Sequence, residues 1–427
     1  MNRIKILQIL LGLFIAFVFG YYFGVNKVTV DWKAYKPNIN VISKEPPSGI
    51  SNVNFTPFWT VWEKLLVQYY DKSKLDQQKM LNGAISGMVQ ALGDPFTIYL
   101  PPTQNNDFKE GLAGQFSGIG AELGTKDRNI IVIAPLDGSP AQKAGVKAGD
   151  TIVTVDGKLT VGWNISEAVE KIRGPKGTQV ELGVVHKDTD KKVDIKITRD
   201  IINVKSVAME IKSADCNSDS CKITPKTESC SKQTCINFLY IRLSQFGDNT
   251  NQEWLSMVGN ISQKVKNDKN IKGIVFDLRN NPGGYLTDAA FIASEFLDKG
   301  KAVVSQDNGI TDKSTMYVTR DGLFLKEKII VLINKGSASA AEIVSGALRD
   351  NNRAKLVGET SFGKGTIQTA EDLGDGAGLH ITIAKWLTPN GTWVNEKGLT
   401  PDVTVSLDAN NPSRDTQLEK GVSELLK

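Results

Sequence analysis

The sequence predicts a multidomain α+β protein, and three observations lead to that fold class. Near the N-terminus, residues 6–25 form an uncharged run that is long enough for a transmembrane helix. In residues 109–200, short strands and two helices alternate around glycine-rich turns, which predicts a β-rich module. Within residues 201–405, strand–turn–helix patterns are typical of an α/β core.

Length and composition place the chain among globular proteins. Its 427 residues, of which 40% are hydrophobic and 23% charged, are enough for two or three domains. The formal net charge of +4 is small for this size and indicates no nucleic-acid-binding surface. We therefore expect no nucleic acid among the partners.

The N-terminal run Ile6–Val25 favours an uncleaved membrane anchor within residues 1–26. Arg3 and Lys5 precede it, so the positive-inside rule places the N-terminus in the cytoplasm and the rest of the chain outside. A signal peptide is the alternative, but the run is long for one and no small-x-small cleavage site follows. We expect a single-pass protein of the inner membrane with an extracytoplasmic, periplasmic domain.

Two segments lie between the anchor and the β-rich module. Residues 27–54 contain three prolines and few apolar clusters, which predicts a tether. In residues 55–108, apolar side chains recur at helical spacing from Phe55 to Tyr69, and a second helix is predicted from about Asp76 to Leu92. A packed cap and a spacer are both compatible with these helices.

The β-rich module shows a regular succession of elements. Ser139 and Pro140 predict the cap and first position of a short helix, and a second helix is predicted from Ser166 to Ile172 before Gly174. The strands are predicted at residues 130–133, 151–155, 180–185 and 193–197.

A stretch of the core predicts a buried strand, a tight turn and a helix. Ile329–Ile333 is a short β-branched run, the chain breaks at Gly336, and helical spacing then continues to Asn351. Ser339 therefore lies at a helix N-terminus, where free N–H groups favour negative charge. It is either a helix cap, since Glu342 completes a capping box, or a nucleophile.

A nucleophilic serine needs a base, and the chain contains two histidines. His186 lies in a polar hairpin-like segment and His380 begins an apolar strand, so both fit ordinary roles. Lys364, between two glycines, is the remaining candidate, provided that burial lowers its pKa by about three units from about 10.4. Gln368, four residues on, falls on the same face of a strand or a helix and is expected to orient the amine.

A phosphate-binding loop is the main alternative for Lys364. Gly358–Lys364 fits the first seven positions of the pattern G-x-x-x-x-G-K-[ST], but Gly365 occupies the position of the magnesium-binding hydroxyl. Thr366 and Ile367 favour a strand over the required helix. We therefore expect no cofactor and no metal.

A second turn of the core is suited to an anion. Gly273–Leu278 is predicted to be a strand, and a helix is predicted to end at Phe296. Between them, Pro282, Gly283 and Gly284 precede the helix and expose backbone N–H groups in a nest. An ordinary tight turn is the alternative interpretation.

Three motifs in this order resemble the carboxyl-terminal processing proteases, also called tail-specific proteases, which are Ser-Lys peptidases. The motifs are Asp277–Gly284, Gly336–Glu342 and Gly363–Gly365. The resemblance extends from about Phe55 to Val403 and so covers most of the chain.

The resemblance implies a role for each motif residue. Ser339 would be the nucleophile, Lys364 the base and Gln368 its orienting partner. Backbone N–H groups would form the oxyanion hole, and the resemblance assigns them to Gly283 or Gly284, with Ala340. In this family the N-terminal helical segment packs on the core and takes part in dimer contacts, which implies a homo-oligomer.

The module 109–200 resembles a PDZ domain, with Gly118, Ile119 and Gly120 matching the carboxylate-binding loop. PDZ domains bind a C-terminal tail as an added strand and hold its carboxylate with backbone N–H groups. The implied partners are proteins with unstructured, apolar C-terminal tails. Arg173 occupies the Ile-Arg-Gly position of the family and would couple the occupied PDZ domain to the protease. A solvated arginine at a helix end is the alternative.

An insertion at residues 213–236 departs from the family pattern and contains all four cysteines. Outside the cytoplasm, an even number of cysteines in one loop predicts two disulfides. A zinc site is the alternative, although its cysteine pairs are usually closer in sequence. Two connectivities fit equally well, the local pairs Cys216–Cys221 and Cys230–Cys235 or a nested hairpin.

The sequence as a whole predicts a membrane-anchored serine endopeptidase that recognises substrate C-termini and cleaves through an acyl-enzyme. Its peptidase core would occupy residues 201–405, followed by a polar, peripheral tail at 406–427. A catalytically inactive PDZ scaffold at the membrane is the alternative. The intact residues Ser339, Lys364 and Gln368 argue against that alternative, because a scaffold needs none of them.

Overall fold

A computed structural model describes most of the chain. The described residues are 11–18, 20–21, 28–33, 36–41, 53–126, 129–136, 138–186, 189, 191–217, 220–224, 234–310, 313–408, 411 and 414–427. The chain divides into two compact units, of which the first ends at Met80 and the second begins at Leu81.

In the first unit, the described residues form helices and one hairpin. Residues 11–18 and 20–21 are helical. Among the described residues, no helix combines the length and apolarity needed to cross a bilayer. The predicted anchor Ile6–Val25 lies only partly within them, and they do not support it. The predicted tether contains the antiparallel strands β1 (Val28–Lys33) and β2 (Lys36–Val41).

The two helices predicted after the tether are confirmed in position. They are α1 (Thr56–Gln68), which has Pro57 in its first turn, and α2 (Gln77–Gln90). A short 3₁₀ turn, Lys72–Lys74, precedes α2.

The PDZ-like module follows the predicted order of strands and helices closely. Its strands are β4 (Gln115–Gly118), β5 (Ala121–Lys126), β6 (Asn129–Pro135), β7 (Thr151–Val155), β8 (Lys158–Leu159), β9 (Gln179–Val185), β10 (Lys192–Thr198) and β11 (Asp200–Asn203). One antiparallel sheet has the order β10-β9-β7-β6-β5, with β8 beside β7, and β4 pairs separately with β11. The helices are α4 (Pro140–Lys143) and α5 (Ile165–Ile172), and α3 (Pro102–Leu112) precedes the module.

Local signals explain the module's helices. The Ser139 hydroxyl accepts a hydrogen bond from the Gln142 N–H at 3.2 Å, so this serine caps α4 as its position predicts. Between the sheet and the helices lies a separate apolar core that includes Ile130, Ile152 and Leu182, all fully buried.

The predicted core of residues 201–405 is built on a seven-stranded sheet. Its strands are β12 (Val207–Cys216), β13 (Cys221–Ile223), β14 (Cys235–Leu243), β15 (Ile271–Asp277), β18 (Ile329–Ile333), β19 (Lys355–Gly358) and β22 (Val403–Thr404). The order is β13-β12-β14-β15-β18-β19-β22, and the strands from β14 to β22 are parallel. Parallel strands of this kind are buried on both faces, which explains the continuous apolar run of β18.

Helices cover both faces of this sheet, because alternate residues of each strand point in opposite directions. Phe276 and Val331 face a core shared with α6 (Thr250–Asn267), α7 (Leu286–Ala293) and α8 (Ala340–Asp350). Val275 and Leu332 face the opposite side.

The opposite face is covered by α9 (Thr416–Leu425), and the prediction of a peripheral C-terminal tail is therefore wrong. Leu418, Val422 and Leu425 recur at helical spacing and are buried in the same cluster as Leu332. At Gly421 an added Cβ would lie 2.9 Å from Leu332 Cδ2, so glycine permits close approach to the sheet. The polar residues between these positions made the segment look hydrophilic, so the sequence did not predict its apolar face.

A second sheet has five strands. It contains β16 (Ala302–Asp307), β17 (Ser314–Tyr317), β20 (Thr366–Gly374) and β21 (Ala377–Leu387) in the order β17-β16-β21-β20, and β3 (Ile98–Leu100) pairs with β21. The segment that carries Lys364 enters this sheet through β20.

In the described part of the cysteine-rich insertion, β12 and β13 pair antiparallel and are joined by a local disulfide. Cys216 and Cys221 are bonded at an S–S distance of 2.07 Å, which excludes the nested connectivity. Cys235 is also disulfide-bonded, and Cys230 lies outside the described residues. Within the part of the chain that the structure describes, no cluster of side chains is arranged to hold a metal ion.

Candidate active site

Two loops meet at the carboxyl ends of the neighbouring strands β15 and β18. The Ser337 hydroxyl donates to the Leu278 carbonyl at 2.8 Å, and the Ala338 N–H donates to the Asn281 carbonyl at 2.9 Å. In an open α/β sheet this edge is the usual place for a site. The structure thus brings together the two motifs that were predicted to supply a nucleophile and an oxyanion hole.

Ser339 has an unusual backbone conformation at the start of α8. Its φ is 53° and its ψ is −116°, outside the regions that a serine ordinarily occupies. Such strain is often found at functional sites and is held there by surrounding contacts. The capping contact with Glu342 is also present, since the Ser339 N–H donates to Oε2 of Glu342 at 2.8 Å. The two interpretations of this serine are therefore compatible.

Gly283 lies directly against Ser339. An added Cβ at Gly283 would be 2.8 Å from Ser339 Cβ and 2.9 Å from Ala340 N, and its φ is 98°. Only glycine fits this position without a displacement. The Ala340 N–H has no acceptor among the described residues. The Gly283 N–H is occupied, because it donates to Asn281 Oδ1 at 2.9 Å.

Gly284 faces the other way. An added Cβ there would be 1.7 Å from the Phe246 carbonyl oxygen, so this glycine allows the turn to pack on the segment after β14. Of the three residues predicted for the oxyanion hole, Gly283 and Ala340 therefore lie beside Ser339. Gly284 instead packs against the Phe246 backbone.

Glu342 links the serine and the lysine segments. Its side chain is fully buried, and besides the Ser339 N–H it accepts hydrogen bonds from Ser361 Oγ at 2.6 Å, Gly363 N at 2.7 Å and Lys364 N at 2.9 Å. Four donors compensate for the burial of this carboxylate. The sequence indicated only its capping role, because the other three partners are about twenty residues away.

Lys364 is partly buried, with its amine 5.1 Å from the centre of the Phe96 ring. Burial lowers the pKa of this lysine below its ordinary value, and the carboxylates of Asp94 and Glu342 oppose that shift. The direction of this shift is the one expected for a lysine base. Phe96 and Asp94 were not predicted to approach Lys364, since nothing local in the sequence connects them.

The prediction that Gln368 orients the Lys364 amine stays a prediction, since the Gln368 amide has other partners in this structure. The Gln368 amide donates to Thr366 Oγ1 at 2.8 Å and to Thr382 Oγ1 at 3.1 Å. Two features break the expected periodicity: β20 begins only at Thr366, and its register against β21 shifts between Ile367 and Gln368. The four-residue spacing therefore does not run through one regular element.

Neither histidine is joined to Ser339 by a hydrogen bond. His380 packs edge-on against Phe108, and burial, followed by the charge of Lys364, lowers its pKa. His186 lies in the PDZ-like module, where its Nδ1 is 2.8 Å from Asp150 Oδ1.

The loop predicted to bind a carboxylate connects β4 and β5. Within the described sheet β5 is an edge strand, which is where a peptide strand is added in PDZ recognition. Ile119 is buried, and Gly120 has a φ of 72°. The guanidinium of Arg173 lies 4.7 Å from the centre of the Phe116 ring, and its Cγ is 3.7 Å from an added Cβ at Gly118. Arg173 is thus exposed but adjacent to this loop.

Comparison with known proteins agrees with this geometry. Residues 237–405 match the model of peptidase family S41, residues 131–185 match a PDZ domain, and residues 18–103 match the N-terminal domain of the activating protease CtpB. The carboxy-terminal processing protease CtpA of Bacillus subtilis is 36% identical over 346 residues, which cover 81% of this chain and 68% of that protein. The chain belongs to the carboxy-terminal processing proteases.

Other members of the family agree with this assignment. The carboxy-terminal-processing protease of Bartonella bacilliformis is 37% identical over 368 residues, covering 86% of this chain and 79% of that protein. The structure of the photosystem II D1 C-terminal processing protease is 29% identical, with a TM-score of 0.50, and covers 86% of this chain and 90% of that one. This carboxy-terminal processing protease is accordingly a serine-type endopeptidase with a PDZ domain.

Proposed function

We propose that the protein is a Ser-Lys endopeptidase in which Ser339 is the nucleophile and Lys364 the general base. The observation that carries this proposal is the buried carboxylate of Glu342, which binds the backbone N–H groups of both residues. One rigid group thus holds the serine turn and the lysine loop in a fixed relation. A helix cap alone has no need of the lysine loop.

The chemistry follows from this arrangement. Ser339 Oγ attacks the scissile carbonyl carbon while the neutral Lys364 amine takes its proton, and the lysine then gives this proton to the leaving amine. Water hydrolyses the acyl-enzyme with the lysine again acting as base. Burial favours the neutral amine that both steps need. The Ala340 N–H, together with a backbone N–H of the Gly283–Gly284 turn, would stabilise the oxyanion.

The proposed reaction requires three changes from the structure described. The Lys364 amine lies near Phe96 and has to approach Ser339, and the Gly283 N–H has to leave Asn281 if it is to donate to the oxyanion. Gln368 would then orient the turned amine after leaving its two threonine partners. Hydrogen bonds in catalytic sites often tighten only when substrate is bound.

The PDZ domain is proposed to select substrates by their C-terminal tails. The free edge of β5 and the glycine loop Gly118–Gly120 suit an extended tail and its carboxylate. The names of the relatives, which process carboxyl termini, support the same choice. Apolar final residues remain a prediction, as does a homo-oligomer.

We further propose a membrane-anchored enzyme whose catalytic part lies outside the cytoplasm. Support comes from the uncharged run Ile6–Val25 behind Arg3 and Lys5, and from the disulfide Cys216–Cys221. Disulfides form and persist mainly in oxidising compartments.

Hydrolysis of an unfolded protein by the purified chain tests the catalytic assignment. Ser339→Ala should abolish cleavage, whereas Ser256→Ala, the same change at an exposed helix position, should leave it intact. Lys364→Arg should also be inactive, since a guanidinium does not release its proton at working pH. Native protein that binds tail peptides without hydrolysing any substrate would instead indicate the alternative, an inactive PDZ scaffold.

A further inference from the structure

Arg279 begins the turn that carries Gly283, and it lies between two carboxylates. Its backbone N–H and its Nε each donate to Asp277 Oδ1 at 3.0 Å, and its Nη2 donates to Asp277 Oδ2 at 2.6 Å. On the other side, Nη1 and Nη2 donate to the two carboxylate oxygens of Asp415 at 2.8 and 2.7 Å. A two-pronged arginine–carboxylate pair of this kind is both strong and directional.

Asp415 belongs to the C-terminal helix rather than to the family core. It is the N-cap of α9, and its Oδ1 also accepts the Leu418 N–H at 2.9 Å. The first turn of α9 contributes Gln417, whose Oε1 accepts from Arg279 Nη1 at 3.1 Å. The peptidase family model ends at residue 405, so these partners of Arg279 lie beyond it.

The charges around Arg279 are balanced only when Asp415 is present. Asp277 is shared, because Arg242 Nη1 also donates to its Oδ1 at 3.2 Å and the Tyr240 hydroxyl donates to its Oδ2 at 2.8 Å. Burial disfavours the Arg279 guanidinium, but the hydrogen bonds and charges of Asp415 and Asp277 outweigh it and raise its pKa. Without Asp415, two guanidinium groups would share a single carboxylate.

The turn after Arg279 transmits its position to the candidate active site. The Asn280 N–H donates to Asn334 Oδ1 at 2.8 Å, beside the serine loop. Asn281 holds both the Gly283 N–H, through its side chain, and the Ala338 N–H, through its carbonyl. A shift of Arg279 therefore displaces the glycine that lies against Ser339.

We propose that Asp415 is a positioning residue for peptide hydrolysis, acting through Arg279 on the oxyanion turn. This inference rests on the proposed function of Ser339. The C-terminal helix thus has a role in the reaction besides covering the sheet.

The test compares two variants of the full chain with the same change of charge. Asp415→Asn removes the carboxylate that faces Arg279 but retains a good helix cap. Glu419→Gln removes a carboxylate that lies in the same helix but pairs with Arg414 rather than with Arg279. The measurements are kcat and KM for a tail peptide, the melting temperature, and hydrogen exchange of residues 278–285.

The expected result is a kcat that is about 3- to 10-fold lower in Asp415→Asn, with KM nearly unchanged. A loss of this size is typical when a partly exposed hydrogen bond between charged groups is removed. Exchange in residues 278–285 should be faster than in Glu419→Gln at a similar melting temperature. The inference is overturned if the two variants have the same kcat and the same exchange. Native protein that fails to cleave the peptide would refute the proposed function, and exchange would still decide the coupling.

Discussion

The Glu342 carboxylate accepts a hydrogen bond from the Lys364 backbone N–H at 2.9 Å, although the two residues are 22 positions apart in the chain. The same carboxylate binds the Ser339 N–H at 2.8 Å. The position of the lysine loop relative to the serine turn therefore depends on one buried side chain that does not itself take part in the chemistry.

Glu342→Gln should lower the free energy of unfolding by about 2–4 kcal/mol. The amide would place an NH2 group, which is a donor, opposite N–H and O–H donors whose hydrogen bonds the carboxylate accepts. Cleavage should fall at least about tenfold, because the two loops lose their common partner. Chemical unfolding and kcat measure the two effects. The exposed Glu371→Gln is the control, and equal stability of both variants would contradict the prediction.

The pH dependence of cleavage should respond to Asp94. Its carboxylate raises the pKa of Lys364 against the lowering effect of burial, so Asp94→Asn should lower that pKa further. The neutral amine then forms at a lower pH, and the rising limb of the pH–rate profile should move towards acid. Asp372→Asn, at an exposed position that pairs with Lys109, should leave the profile in place. A shift towards alkaline pH would exclude Lys364 as the base.

Gly283→Ala should reduce kcat by about 100-fold or more, because the new methyl group would displace Ser339 or the Ala340 N–H from the oxyanion position. The control is Gly391→Ala, which has a φ of 80° but open space around an added Cβ. It reproduces the backbone strain without the contact. Similar activity of the two variants would remove Gly283 from the site.

Recognition of the substrate carboxylate can be tested with paired peptides that end in an acid or an amide. Loss of a charged hydrogen bond should weaken binding of the amide by about 10- to 100-fold. In Gly120→Val the added Cβ would lie 2.6 Å from Ser139 Cβ, which distorts the loop. Binding of the acid peptide should therefore weaken more than binding of the amide peptide. Cleavage rates and peptide affinities measure both effects.

The matched control for this variant is Gly138→Val, at the same φ of 72° but with nothing within 4 Å of an added Cβ. It should still distinguish acid from amide. Equal binding and cleavage of the two peptides by the native enzyme would mean that the PDZ domain does not recognise the C-terminus.

The sequence predicted those parts of the site that depend on local patterns. The strand Ile329–Ile333, the turn and the helix after Ser339 are set by β-branching, a glycine and helical spacing within some twenty residues. The partners of Glu342 and the approach of Phe96 to Lys364 could not be predicted, because they join segments that are distant in the chain.

Periodicity also failed where an element began later than expected. Gln368 was placed beside Lys364 on the assumption of one continuous strand or helix, but the strand starts after the lysine. The C-terminal helix was missed although its periodicity is regular. Its three apolar side chains are spaced correctly, yet the charged residues between them made the segment resemble a tail.

The position of α9 in the chain has a consequence for the order in which the enzyme is made. Every other strand and helix of the peptidase sheet precedes it, so a nascent chain can pair its strands while Val275 and Leu332 still lack their cover. Arg279 also has no Asp415 to bind at that stage. Full proteolytic competence is therefore expected to arise only after synthesis has passed Leu425.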